Sequence, residues 1–113
     1  MEKKVQIIKG NSLIENDHGD TKTTKIFDCE VFNIAKIRKI GDDIKTGYDT
    51  ESDVAYYVLE GKGKCVIKNK EYEIEKGDLI FYPKGTPYKH LKGLTLLAIA
   101  NPPFDRKKRV YIE

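Results

Sequence analysis

The sequence predicts an all-β fold, closed into a barrel or stacked as a sandwich. Three observations carry this expectation. Glycine and proline recur at short intervals along the 113 residues. The runs between them are rich in β-branched and aromatic residues. No window sustains the 3.6-residue apolar stripe that an amphipathic helix needs. In chain order the candidate strands are residues 5–8, 26–27, 31–40, 55–59, 64–68, 71–74, 79–82, 88–91, 94–100 and 110–112.

Each element has its own signal. The run at 5–8 opens the chain, and the polar, turn-rich stretch 10–25 reads as a flexible loop. In 31–37, "VFNIAKI", apolar residues point to both faces, so the outer face needs cover as well as the inner. Gly61 and Gly63 separate 55–59 from 64–68. "KNKE" at 68–71 joins two alternating runs in a tight hairpin, with Asn69 tolerating the positive φ this demands. Gly77 and Asp78 lead into 79–82, and Pro83, Gly85 and Pro87 interrupt the ladder before 88–91. Near the C-terminus, Pro102 and Pro103 turn the chain. Phe104, Val110, Tyr111 and Ile112 are too apolar to stay solvated, so 110–112 is expected to pack as a strand on the barrel or on a partner. No linker, repeat or low-complexity segment divides the chain, and residues 1–113 read as one domain.

Composition narrows the classes. A chain of this length can bury roughly two-thirds of its unfolded surface, so a core is expected without covalent staples. Its two cysteines, Cys29 and Cys65, have no metal-type spacing and read as reduced, structural thiols. No apolar run suits a signal peptide or the ~20-residue membrane span, so a cytoplasmic protein without membrane contact is expected. The net charge of +3 comes from 21 Lys and Arg against 18 Asp and Glu, a mixed surface. The one basic cluster, "DRKKR" at 105–109, lacks interleaved aromatics, reads as a solvated tail and gives no ground for a nucleic-acid partner.

The glycine and proline pattern between Gly41 and Gly93 resembles the small single-domain cupins, which are double-stranded β-helix (jelly-roll) barrels. Gly41 and Gly61 fall on the first cupin motif and "YYVLEGKG" (56–63) on its closing strand and turn. Gly77, Pro83 and Gly85 fall on the second motif in "GDLIFYPKGTPY". The resemblance implies a jelly-roll barrel, and it implies four metal-ligand positions that this chain fills with Gly47, Asp49, Val54 and Tyr88 in place of His, His, Glu and His. Glycine and valine have no donor atoms, and a phenol coordinates a divalent ion well only as phenolate, so no resident metal and no other cofactor are expected. The motif's three-residue spacing shifts the candidates to Tyr48, Thr50 and Val54, which are no better. The remaining donor set is the acidic ladder Asp49, Glu51 and Asp53, which share a face in an extended strand and with a bulge would point inward, together with His90.

The candidate site therefore lies in the barrel mouth. If Tyr88 points inward, so does His90 two residues on. His18, the other histidine, sits in the polar loop. The catalytic candidates are His90 as base, Asp49 orienting it and Tyr88 as proton donor, by likeness to metal-free cupins acting on nucleotide sugars. Tyr48, Tyr56 and Tyr82 are candidate ligand-binding residues, because inward tyrosines suit a polar ligand with apolar faces. Tyr56 and Tyr57 are expected on opposite faces.

The expected function is a metal-independent cupin that binds, and isomerises or epimerises, a small carbohydrate-like or keto-acid metabolite held in the barrel. A non-catalytic binding or oligomerisation module is the alternative, and a divalent-metal cupin with acidic ligands is the third. A homodimer is expected from the two-faced apolar strand and from the resemblance, with light scattering as its check.

Overall fold

The computed structural model describes residues 4–112. Among these, ten strands form: β1 (Glu15–Asp17), β2 (Thr21–Asp28), β3 (Asn33–Lys39), β4 (Thr46–Asp49), β5 (Asp53–Ile67), β6 (Lys70–Glu75), β7 (Leu79–Tyr82), β8 (Tyr88–His90), β9 (Leu94–Asn101) and β10 (Arg109–Ile112). Every pairing is antiparallel. The order runs β1-β2-β3-β9-β5-β8-β4-β10, with β6 and β7 also on β5. The all-β expectation holds, and the sheet curls into a half-open jelly roll.

β5 makes the curl possible. Its first half lies between β9 and β7, and its second half lies between β6 and β8. The strand changes sheets at a register shift between Val58 and Glu60, followed by Gly61 at φ 89°. Such an irregularity bends a strand without ending it. Gly61 and Gly63, read as a break between two strands, therefore sit inside a single one. Beyond them the hairpin at 68–69 turns as expected, with Lys68 and Asn69 both at positive φ.

Period-two alternation fills the space between the two layers. Val54, Tyr56 and Val58 from β5 meet Leu94, Leu96 and Ala100 from β9, with Cys65, Ile74, Tyr82 and Tyr88 completing the core. Tyr57 points out while Tyr56 is buried, as the alternation predicts. The outward side chains of this layer include Leu79, Phe81, Tyr57 and Ile99, all exposed.

Four expectations need correction. Residues 5–8 form no strand and leave Val5 and Ile7 exposed, because no edge of the sheet receives them and β-propensity without a partner has no effect. The stretch 10–25 is not a simple loop. It carries a 3-10 turn at Gly10–Ser12, β1 and the start of β2. Asp17 Oδ1 accepts from the Gly19 N–H at 2.8 Å, and Gly19 adopts φ 84°, so the polar residues close a hairpin. β4 was not foreseen, because "TGYD" has a glycine and little apolar content. It forms because β10 and β8 flank it. β10 forms where 110–112 was expected to, with Gly47 opposite Tyr111 and Asp49 opposite Arg109. Phe104, Val110, Tyr111 and Ile112 nevertheless stay exposed, since strand pairing satisfies the backbone without covering these side chains.

Candidate functional site

The space between the layers is a cavity of about 1120 Å³, with Tyr56 from β5, Tyr88 and His90 from β8, and Arg109 and Tyr111 from β10 on its wall. The pairings set these positions. Tyr88 and His90 alternate inward on β8 and are 2% and 4% exposed. Tyr56 faces them across the barrel, its hydroxyl 2.7 Å from that of Tyr88. Tyr82 lies behind the wall, stacked on Tyr88 with ring centres 3.8 Å apart. Its hydroxyl is 3.1 Å from His90 Nε2.

Burial tunes these groups. It pushes the Tyr88 hydroxyl up to about 12, with Asp49 adding to the rise and Arg109 opposing it. It raises Tyr56 and Tyr82 as well. It pulls His90 down to about 4, against the opposing attraction of Asp43. At neutral pH the site therefore presents a neutral imidazole and protonated phenols.

The His90 shift has a measurable consequence. In the unfolded chain the ring takes a proton as pH falls through 6.5, whereas the folded protein resists protonation until about pH 4. Protons then favour the unfolded state, so this contribution to stability is complete above pH 6.5 and is lost as the pH falls from there to about 4. The loss is of order 3 kcal/mol. Urea unfolding of wild type and His90→Gln across that range should show a steeper decline in wild type. Parallel declines would exclude His90 as the source.

Asp49 does not orient His90. It is buried, but its carboxylate accepts from Arg109 Nη1 at 3.2 Å. The same Nη1 donates to the Tyr88 hydroxyl at 3.2 Å. The carboxylate that positions His90 is Asp43. Its Oδ2 accepts from the His90 N–H at 2.9 Å, and its own N–H donates to the His90 carbonyl at 2.9 Å. Asp43 is in turn ion-paired to Lys39, a buried lysine whose Nζ also bonds the Thr21 hydroxyl. Tyr48 is a second correction, since alternation along β4 turns Gly47 and Asp49 inward and Tyr48 to the opposite face.

The acidic ladder does not assemble. After Asp49 the chain bends at Thr50 and Glu51, so the three carboxylates do not share an extended strand. Glu51 pairs with Lys108, and Asp53 accepts from the Lys84 N–H. Among the described residues no three His, Cys, Asp or Glu side chains converge.

Arg109 is the residue that sequence reasoning missed. It was grouped with a solvated cluster, yet its side chain is only 11% exposed. Its guanidinium lies flat over Gly47, since a Cβ there would stand 2.8 to 3.0 Å from Nη2, Cζ and Nε. Alternation from Arg109 to Tyr111 on a C-terminal strand was a possible signal, but only the pairing with β4 turns it inward. His18 sits on the β1–β2 turn, exposed and at the cavity rim. Cys65 is buried beside Tyr82, and both cysteines are free thiols.

Residues 39–93 match the sequence profile of the cupin domain family. The barrel has the cupin fold. Over 66 residues, 55% of its length, this chain is 33% identical to an uncharacterized protein of Methanocaldococcus jannaschii, and it spans about half (53%) of that relative. Its fold is similar to that of a Streptomyces Pac13 variant solved with uridine, with TM-score 0.87 and 13% identity over 97% of this chain and 92% of that one. Pac13 is described as a unique nucleoside dehydratase. An RmlC-like cupin of Shewanella frigidimarina gives TM-score 0.77 at 17% identity, covering 95% and 97% of the two chains. The polyketide cyclase RemF of Streptomyces resistomycificus gives 0.78 at 19%, covering 100% of this chain and 87% of its own. At these identities the likeness is one of fold.

Proposed function

We propose that this protein binds a small carbohydrate-like or keto-acid metabolite in its barrel without a metal. The observation that supports this reading is the convergence of Tyr56, Tyr88, His90 and Arg109 on one cavity of about 1120 Å³. Aromatic faces beside a few fixed polar groups suit a polyhydroxylated or carbonyl ligand. At the positions where the family carries ligands, the guanidinium of Arg109 covers Gly47 and bonds both Asp49 and Tyr88. A fixed side-chain cation thus stands there, and a divalent ion would meet its charge.

Isomerisation or epimerisation in this site would have neutral His90 accept a proton from carbon and Tyr88 return one. An imidazole held near 4 is a weak base, and among the described residues no carboxylate bonds its ring. Those two facts favour binding without turnover, the second reading. A thermal-shift screen of sugars and keto acids tests the first part, with hits expected to stabilise wild type and to lose that effect in His90→Asn. Hits that stabilise the variant equally would move the ligand out of the barrel. NMR in deuterium oxide tests the second, because proton abstraction exchanges the hydrogen next to a ligand carbonyl. No enzyme-dependent exchange leaves a binding module.

A further inference from the structure

Both hydrogen bonds of the Arg109 guanidinium use Nη1. Among the described residues no fully buried side-chain nitrogen or oxygen lacks a partner, so Nε and Nη2, which have no hydrogen bond of their own, keep some accessible surface. One face of the guanidinium covers Gly47, and the Tyr88 and Tyr111 rings lie 4.8 and 5.3 Å from Cζ. What remains accessible is the Nε–Nη2 edge, a planar fork of donors on the cavity wall. The other buried cation, Lys39, is already engaged by Asp43 and Thr21.

We propose that this fork makes the cavity selective for organic acids, the ligand carboxylate seating on Nε and Nη2 of Arg109. The inference rests on the cavity-binding reading above and chooses between its two ligand classes. Two parallel N–H groups match two carboxylate oxygens, whereas a neutral hydroxyl engages only one of them. The cavity wall as a whole does not impose this choice. Its lysines and arginines (Lys25, Lys39, Lys45, Arg106 and Arg109) are balanced by aspartates 20, 28, 43 and 105 on the wall and by Asp49 behind Arg109. Selectivity therefore comes from local geometry, and Asp49 opposes it, because a bound carboxylate shares the guanidinium with it. The Tyr88 hydroxyl lies on the Nη1 side of the guanidinium, bonded to the Tyr56 hydroxyl, and both phenols stay protonated at neutral pH.

The test titrates wild type, Arg109→Lys and Asp49→Asn with two matched pairs, gluconate against glucitol and pyruvate against acetone, by calorimetry and ligand-observed NMR. In wild type the acid of at least one pair should bind roughly tenfold or more tighter than its neutral partner, the advantage of a charge-assisted bidentate contact. Arg109→Lys keeps the charge beside Asp49 but loses the fork, so most of the preference should disappear. Asp49→Asn removes the competing carboxylate and should tighten acid binding, a gain that a damaged fold cannot produce. Neutral partners binding as well as the acids would overturn the selectivity and leave the cavity reading standing. An unchanged preference in Arg109→Lys, or no gain in Asp49→Asn, would remove Arg109 from the role. If no compound binds and the Tyr56 and His90 resonances do not move, the cavity reading fails and the inference with it.

Discussion

Gly61→Ala should come close to abolishing the fold. At φ 89° the residue occupies a region that L side chains rarely adopt, at a cost of about 1–3 kcal/mol. The larger effect is contact, because an added Cβ would lie 2.0 Å from the Gly93 carbonyl oxygen. That oxygen belongs to backbone, so nothing swings aside. The clash falls where β5 passes from one sheet to the other beside β9, and relief would part those two strands. The total exceeds about 4 kcal/mol, a large share of the 5–15 kcal/mol available to a domain of this kind. The expected result is insoluble protein, or a Tm lowered by ~15 °C or more. Gly77→Ala is the control. It has nearly the same φ, 94°, but nothing within 4 Å of its Cβ position, so it should lose only the conformational part. Equal losses in the two variants would show that backbone contact at Gly61 contributes little.

Arg109→Met should cost about 3–5 kcal/mol, because it removes the cation and leaves the Asp49 carboxylate buried without a charge partner. Asp49 is 5% exposed, and Arg109 is its ion-pair partner at 3.2 Å. Tyr88 also loses a donor to its hydroxyl, while its bond to Tyr56 survives. The sign of the double variant discriminates. Asp49→Asn combined with Arg109→Met should be more stable than Arg109→Met alone, because the stranded charge is gone. Urea unfolding of the four proteins gives the coupling energy. Additive losses would mean that the pair is not coupled, and that Arg109 stabilises the fold by packing alone. This outcome concerns stability and stands apart from ligand selectivity, which Arg109→Lys reads with the charge retained.

The strand run from residue 53 to 101 was largely legible because its signals are local. Alternation placed Tyr56 inward and Tyr57 outward, Asn69 marked a turn that needs positive φ, and the boundaries of β7 fell where Gly77 and Pro83 put them. The spacing of Gly41, Gly61, Gly77, Pro83 and Gly85 carried the cupin resemblance. Tyr88 and His90 could be placed in the barrel together because residues two apart on a strand share a face. Where expectation failed, the missing information was non-local. Residues 5–8 look like a strand but find no edge to join, and β4 looks unlike one but is paired on both sides.

The site divides in the same way. From the sequence alone it follows that the positions where the family binds metal are filled by Gly47, Asp49, Val54 and Tyr88, and that a histidine remains nearby at 90. The motif spacing of the resemblance supplies the first, and strand period the second. The tertiary structure decided what took the vacated space. β10 pairs with β4 in a register that sets Arg109 opposite Asp49 across a separation of 60 residues, and the absence of a side chain at Gly47 leaves room for the guanidinium. The structure likewise gave Asp43 to His90 and Asp49 to Arg109, reversing the partner that sequence order suggested. An ion pair's partner depends on which chain segments meet, and that is set by sheet register and closure, not by the residues' own chemistry.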